Sequence, residues 1–309
     1  TLALFALLFV NLTFAQDRTT VNATSSEISD NLDLRAVASI FGDSENLDDF
    51  ERRLNDPKLQ ISNLDLNNDN QVDYLRVIES VEGRTHLIIV QAVLERDVFQ
   101  DVATIEVERD AHNHVQVQVV GDVFMYGDNY IYEPVYVHTP IIYTSFWITN
   151  YHPYYSSWGW GYYPTYYYAW NPYPVFRYRN NINICINVNN YYNYVDVRRS
   201  RTAVAMYDGR RSNGYEVQHP NRSFAQRNTR VSNRHELDQT RDIRNVGTRN
   251  EVANSNPRGN NGQTSSPRGN TRNDGVAPGG NNGESSSPRG NTRSDGAAPR
   301  SSNGEMSTP

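Results

Sequence analysis

The sequence predicts an α+β fold: two N-terminal helices packed on an antiparallel four-stranded meander, followed by an aromatic-rich irregular or β extension and a disordered tail. Three observations carry this. Apolar residues recur at helical spacing over 34–54, then switch to a period of two over 72–119. Beyond 125 they give way first to Tyr and Trp, then to Arg, Asn, Ser and Gly. The chain accordingly divides into an export signal over 1–15, a polar linker over 16–30, an acidic α+β domain over 31–125, a Tyr/Trp-rich extension over 126–195 and a tail over 196–309.

The first element is the leader. Leu2 to Val10 is an unbroken apolar run, and Thr13-Phe14-Ala15 sets small residues three and one before polar Gln16. This is the pattern of a secretory signal peptide cut after Ala15. The run is shorter than the roughly 20 residues a spanning helix needs, and no later stretch is long and apolar enough, so no transmembrane helix is expected after cleavage. The expected location is outside the cytoplasm, either secreted or in the periplasm and cell envelope.

In the acidic domain Leu34, Val37, Ala38 and Phe41 form the stripe of a first helix that Gly42 can end. Asn46 is suited to cap a second, with Asp48 and Asp49 in its first turn where the helix dipole favours acids. Leu47, Phe50 and Leu54 line its buried face, and Pro57 stops it. The first strand is expected from Val72 to Ile78, apolar on both faces, and the second over Leu87–Leu94. The third alternates Ala103, Ile105 and Val107 with Thr104, Glu106 and Glu108, which predicts one wet face. His112-Asn113-His114 reads as a hairpin tip, and Val115, Val117 and Val119 as the fourth strand.

Between helix and strand lies Asp65-Leu66-Asn67-Asn68-Asp69-Asn70-Gln71-Val72-Asp73. Side chains of Asp65, Asn67, Asp69 and Asp73 supply oxygens at positions 1, 3, 5 and 9, and Gln71 at position 7 would offer a backbone carbonyl. Calcium takes six to eight hard oxygen ligands, so this spacing makes the loop a candidate structural Ca²⁺ site. Arg76 stands where an EF-hand carries its bidentate Glu, so the loop is not an EF-hand. It resembles the D-x-N-x-D-x-x-x-D loops of dockerin, thrombospondin-type and integrin-propeller repeats. An Asx-rich turn without metal satisfies the same pattern.

Leu47-Asp48-Asp49-Phe50-Glu51, Leu54-Asn55, Asn63-Leu64-Asp65-Leu66-Asn67, Asp73-Tyr74, Arg76-Val77, Val119-Val120-Gly121-Asp122 and Tyr126-Gly127 resemble a family of secreted proteins of Bacteroidetes-type bacteria over residues 31–133. Its members usually carry Gly where Asn70 stands. The resemblance implies an exported envelope protein and implies no activity.

The extension holds 18 of the 21 Tyr, all four Trp, and only Asp128, Glu133, Arg177 and Arg179 as charges. Its repeated prolines exclude a long helix. Ile182, Ile184, Ile186 and Val188 alternate with Asn181, Asn183, Cys185 and Asn187, which predicts a strand with Cys185 on the Asn-bearing face. Three roles compete for the zone: irregular packing on the domain, a ligand surface through Trp158, Trp160, Trp170 and Tyr167, and self-association through an uncharged β segment. Rings of this kind favour a cell-surface glycan or another polymer as partner.

Charge divides the chain further. Residues 1–195 carry net −13 and residues 196–309 net +7, within a total of −6. The tail repeats itself: Ser266-Pro267-Arg268-Gly269-Asn270-Thr271-Arg272 returns 21 residues later from Ser287. Its copies lack an apolar repeat position, which predicts a duplicated, solvated spacer. Its Arg residues could meet extracellular DNA, an anionic glycan or the protein's own acidic domain.

Several chemistries are excluded or disfavoured. One Cys excludes a disulfide framework and Cys-rich metal sites. No G-x-S-x-G, H-E-x-x-H or P-loop occurs. His112 and His114 fit a polar turn, and Glu106 and Glu108 fit a solvated face. The expectation is a non-enzymatic structural or interaction protein without catalytic residues, with a glycan- or polymer-binding adhesin as first alternative and a divergent hydrolase as second.

Overall fold

The computed structural model describes residues 27–241. The expected signal over 1–15, most of the linker and the 21-residue repeat lie outside the described residues.

Two helices open the fold. In α1 (Leu34–Gly42) the Asp33 carboxylate accepts the Arg35 N–H; in α2 (Leu47–Leu54) the Asn46 side chain accepts that of Asp49. Each cap satisfies a backbone donor that the first helical turn cannot. Phe41 and Phe50 meet edge to face at 5.5 Å across the helix pair.

The sheet has six strands rather than four: β1 (Leu75–Glu82), β2 (Thr85–Glu95), β3 (Val98–Arg109), β4 (Val115–Gly121), β5 (Ile131–Val135) and β6 (Tyr191–Val195), antiparallel throughout and ordered in sequence. Tight turns set the register. Gly83 (φ +58°) and Asp97 (φ +60°) turn the first two hairpins. At the third tip Asp110 accepts the N–H groups of His112 and His114. Val77 then faces Val90, Ile88 faces Ile105, and Ile105 faces Val119. These residues and the apolar faces of α1 and α2 form one buried core.

Helix α3 (Val123–Tyr126), capped by Asp122, leads into β5, which pairs Val120 with Ile131. The last two strands come from the aromatic zone, so that zone extends the sheet instead of lying against a finished one. Phenol groups tie it to the helical layer: Tyr126 donates to Leu32 O at 2.8 Å and Tyr136 to Ala38 O at 2.7 Å. After the short α4 (Tyr143–Phe146), the chain crosses the outer edge of β1, where Tyr154 O accepts the Glu79 N–H and Ser156 N–H reaches Val77 O. That edge is therefore covered.

Three sequence expectations are corrected. The first strand starts at Leu75, because the Asp65–Asp73 loop holds Val72 through a bond from its N–H to Trp170 O. The Ile/Asn alternation at 181–188 is not a strand. Residues Val175–Cys185 form α5, which buries Tyr178 and Ile182 while Ile184 stays 84% exposed. Cys185 stands on the same helical face, half-buried near Leu59 O. Spacings of four and three residues between Tyr178, Ile182 and Cys185 suit a helix docked on the core.

The third correction concerns the expected wet face and the tail. Thr104 and Glu106 are buried, because residues 196–218 cross that face. Helix α6 (Arg201–Asp208) lays Ala203 and Met206 on Leu87 and Ile89. Helices α7 (Gly214–Gln218), α8 (Phe224–Arg227) and α9 (Arg234–Thr240) continue to the end of the described chain. What composition alone misses is charge complementarity. Arg198 pairs with Glu106, Arg199 with Glu133, Arg211 with Asp122, and Arg234 and Arg241 with Asp30.

Candidate ligand-binding site

The Asp65–Asp73 loop is a stack of Asx turns. Asp65 accepts the N–H groups of Asp69 and Asn70, Asn67 Oδ1 accepts that of Asp69, and Asp69 Oδ1 accepts that of Gln71 at 2.8 Å. Asn68 and Asn70 take positive φ values of 58° and 65°, a conformation Asn tolerates better than other side chains. Asp73 closes the loop by accepting the Leu66 N–H at 2.7 Å. Most of the oxygens that the Ca²⁺ expectation relies on are thus already bound to backbone amides. Among the described residues no group of three or more His, Cys, Asp or Glu side chains is arranged to hold a metal.

Beside the loop lies a cavity of about 290 Å³. Its polar lining residues are Asn67, Asp69, Gln71 and Asp73, and its aromatic ones Tyr74, Trp160, Tyr163 and Tyr167. Two independent sequence expectations, the oxygen-rich loop and the aromatic surface, therefore meet in one place. Asp65 is not part of the lining. The rings are packed together: Tyr74 lies 5.2 Å from Tyr163 and 4.9 Å from Tyr167, the latter edge to face, and Tyr163 lies 5.1 Å from Tyr167. The Tyr167 hydroxyl donates to Val72 O at 3.1 Å, which fixes that ring against the loop.

Of the four aromatic residues singled out from sequence, Trp160 and Tyr167 line the cavity. Trp158 packs at a tilt against Tyr162 outside it, and Trp170 is buried, its carbonyl holding the Val72 N–H. Tyr74 and Tyr163 are the aromatic lining residues that sequence reasoning missed. Nothing separates Tyr163 from its many Tyr neighbours. Tyr74, expected in the first strand, carries its meaning in the preceding loop.

Glu51 anchors Tyr74 of this lining. Buried in α2, it accepts the hydroxyls of Tyr74 (2.8 Å) and Ser156 (2.6 Å) on one oxygen. The other accepts the Val77 N–H (3.0 Å) and the Tyr154 hydroxyl (3.1 Å). Burial pushes its carboxyl up while these four donors pull it back, leaving it above the ordinary value.

Electrostatics single out Asp73, which is only 6% exposed. Burial raises its carboxyl well above the usual range; the Leu66 N–H opposes this, and the like charges of Asp65 and Asp69 add to it.

A buried acid–imidazole pair lies apart from the cavity. His86 Nδ1 sits 2.6 Å from Glu79 Oε1, and Glu79 Oε2 accepts the Tyr151 hydroxyl at 2.5 Å and the Tyr154 N–H at 2.8 Å. Phe146, Trp147 and Tyr151 surround the imidazole. Neither His86 nor Glu79 lines the cavity. His112 and His114 are at the exposed hairpin tip with Asp110, as a polar turn requires. No helix among the described residues is long and apolar enough to cross a membrane. Comparison of the chain with family models, curated proteins and solved structures finds no match.

Proposed function

We propose that this chain is an exported, non-enzymatic interaction protein of the cell envelope that binds a carbohydrate-class ligand in the cavity beside Asp65–Asp73. The observation that carries the reading is one cavity lined by both polar and aromatic side chains. Asn67, Asp69 and Gln71 line it together with Trp160, Tyr163 and Tyr167. Sugars present hydroxyls at their edges and C–H groups on their faces, so a small site lined by both polar and aromatic side chains suits both. Trp160 is 43% exposed, so a ligand can reach it without unfolding anything. Export rests on the Leu2–Val10 run and the Ala15 cleavage site.

The test is calorimetric titration of the full chain with a trimer of N-acetylglucosamine and a trimer of glucosamine. Saturable binding of either, weakened about tenfold or more by Trp160→Ala, supports the reading. Absence of binding to both, or binding that Trp160→Ala leaves unchanged, overturns it.

Structural Ca²⁺ in the loop is a second reading, favoured by the mutual repulsion of Asp65, Asp69 and Asp73. It expects calcium chloride to raise the melting temperature and EDTA to reverse the rise. A melting temperature indifferent to both rejects it.

A further inference from the structure

Among the described residues seven acidic side chains are buried, and six have their charge answered within the protein. Asp30, Glu106 and Asp122 each meet a guanidinium. Glu79 meets His86 and two further donors, Glu51 accepts four hydrogen bonds, and Asp101 accepts from Gln91 and the Ser212 N–H. Asp73 is the exception. It accepts one hydrogen bond, on Oδ2 from Leu66, and Oδ1 holds none. The charges that act on it are those of Asp65 and Asp69, both of its own sign. A buried carboxylate left in this condition is costly unless a cation or donor reaches it.

What lies open to Asp73 is the cavity, and the chemistry of the cavity says which cation. A divalent metal asks for six to eight oxygens around a compact centre. Here Asp69 and Asp73 are the lining acids, and Tyr74, Trp160, Tyr163 and Tyr167 line the same space. Aromatic faces attract an organic ammonium group through their negative quadrupole, and they do so most strongly where water is excluded. A space of about 290 Å³ exceeds what a bare ion fills and accommodates a sugar-sized group.

We infer that the ligand held in this cavity is an amine-bearing sugar, its protonated amine set between the Asp69 and Asp73 carboxylates and the Trp160, Tyr163 and Tyr167 rings. This rests on the carbohydrate-binding reading above and narrows it. The ammonium group donates to the free oxygen of Asp73, and the rings pack against the C–H face of the sugar. A neutral N-acetyl group offers the acids one amide donor and no charge, so the site discriminates against it.

The test titrates the full chain with the glucosamine trimer, the N-acetylglucosamine trimer and calcium chloride alone. Asp69→Asn is the variant of choice because Asp69 is exposed and its replacement can still accept the Gln71 N–H. The expected result is a preference of about tenfold or more for the glucosamine trimer that Asp69→Asn removes. Equal affinity for the two trimers, or a preference that survives Asp69→Asn, overturns the inference and leaves the carbohydrate reading standing. Binding of neither trimer overturns both. Calcium binding that Asp69→Asn removes, in a chain that binds neither trimer, assigns the acids to a metal and likewise overturns the inference.

Discussion

Arg198 and Glu106 meet beneath the C-terminal segment, with the Glu106 side chain only 1% exposed. Burial pushes the Glu106 carboxyl up and Arg198 pulls it back, leaving it raised overall. Removing the guanidinium leaves a buried, uncompensated acid, so Arg198→Ala is expected to cost about 3 kcal/mol in denaturant unfolding. Adding Glu106→Gln to that variant should recover part of the loss. A single variant as stable as the parent contradicts the pairing. Asp122 gives a pH prediction. Burial pushes its carboxyl up to about 6, with Arg211, 3.0 Å away, acting in the opposite direction. Because the folded value lies above the unfolded one, this group's contribution is fully present below the unfolded value and is lost as pH rises through about 6. Stability should therefore fall from this group between roughly pH 4 and 6, and Asp122→Asn should flatten that slope. Asp30 has the opposite sign. Burial raises it, but Arg234, Arg241 and Arg179 together outweigh that and hold it low. Its contribution is lost as pH falls below the ordinary carboxylate range.

At the scale of elements, local rules made α1, α2 and β2 to β4 legible. Caps, apolar stripes and turn residues there all agree, and the Asn46 cap and the His112-Asn113-His114 tip form as expected. Helix α5 shows where such reading fails. Its Ile/Asn alternation has a period of two, yet a strand would set Ile182, Ile184 and Ile186 on one face. The chain instead begins a helix after Pro174, whose carbonyl accepts the N–H groups of Arg177 and Tyr178. The Tyr178 hydroxyl then donates to Ile61 O and accepts the Asp33 N–H. Those contacts are long-range and leave no trace in the local pattern. Ile182→Ala is accordingly expected to cost about 2–4 kcal/mol, and Ile184→Ala less than about 0.5 kcal/mol. Equal losses at the two positions in denaturant titration would restore the strand. Half of the site was legible for the same reason. The oxygen spacing of Asp65–Asp73 is local, whereas the approach of Trp160, Tyr163 and Tyr167 depends on a chain reversal some 90 residues later.

The whole molecule is organised by charge as much as by apolar burial. A chain with net −13 over its first 195 residues meets an Arg-rich continuation. Over 196–241 several of those arginines are committed to acids of the same molecule. Composition read this segment as a spacer because it has few apolar residues. Ala203 and Met206 nevertheless suffice to seat it, because Leu87 and Ile89 lie beneath and ion pairs flank them. A chain ending at Val195 should lose more than about 10 °C in melting temperature and bind a hydrophobic dye, since it exposes that apolar patch and strands Glu106 and Asp122. Unchanged melting would make the segment an ornament. The proposed function rests on the N-terminal end of β1, where residues of the acidic loop and of the aromatic chain line one cavity. The measurement that tests this most directly is calorimetric titration of the glucosamine trimer into the parent chain, Trp160→Ala and Trp158→Ala. Saturable binding that is lost in Trp160→Ala and kept in Trp158→Ala is the predicted result, because only Trp160 of the two lines the cavity. Binding that is absent, or that survives Trp160→Ala, would contradict the account.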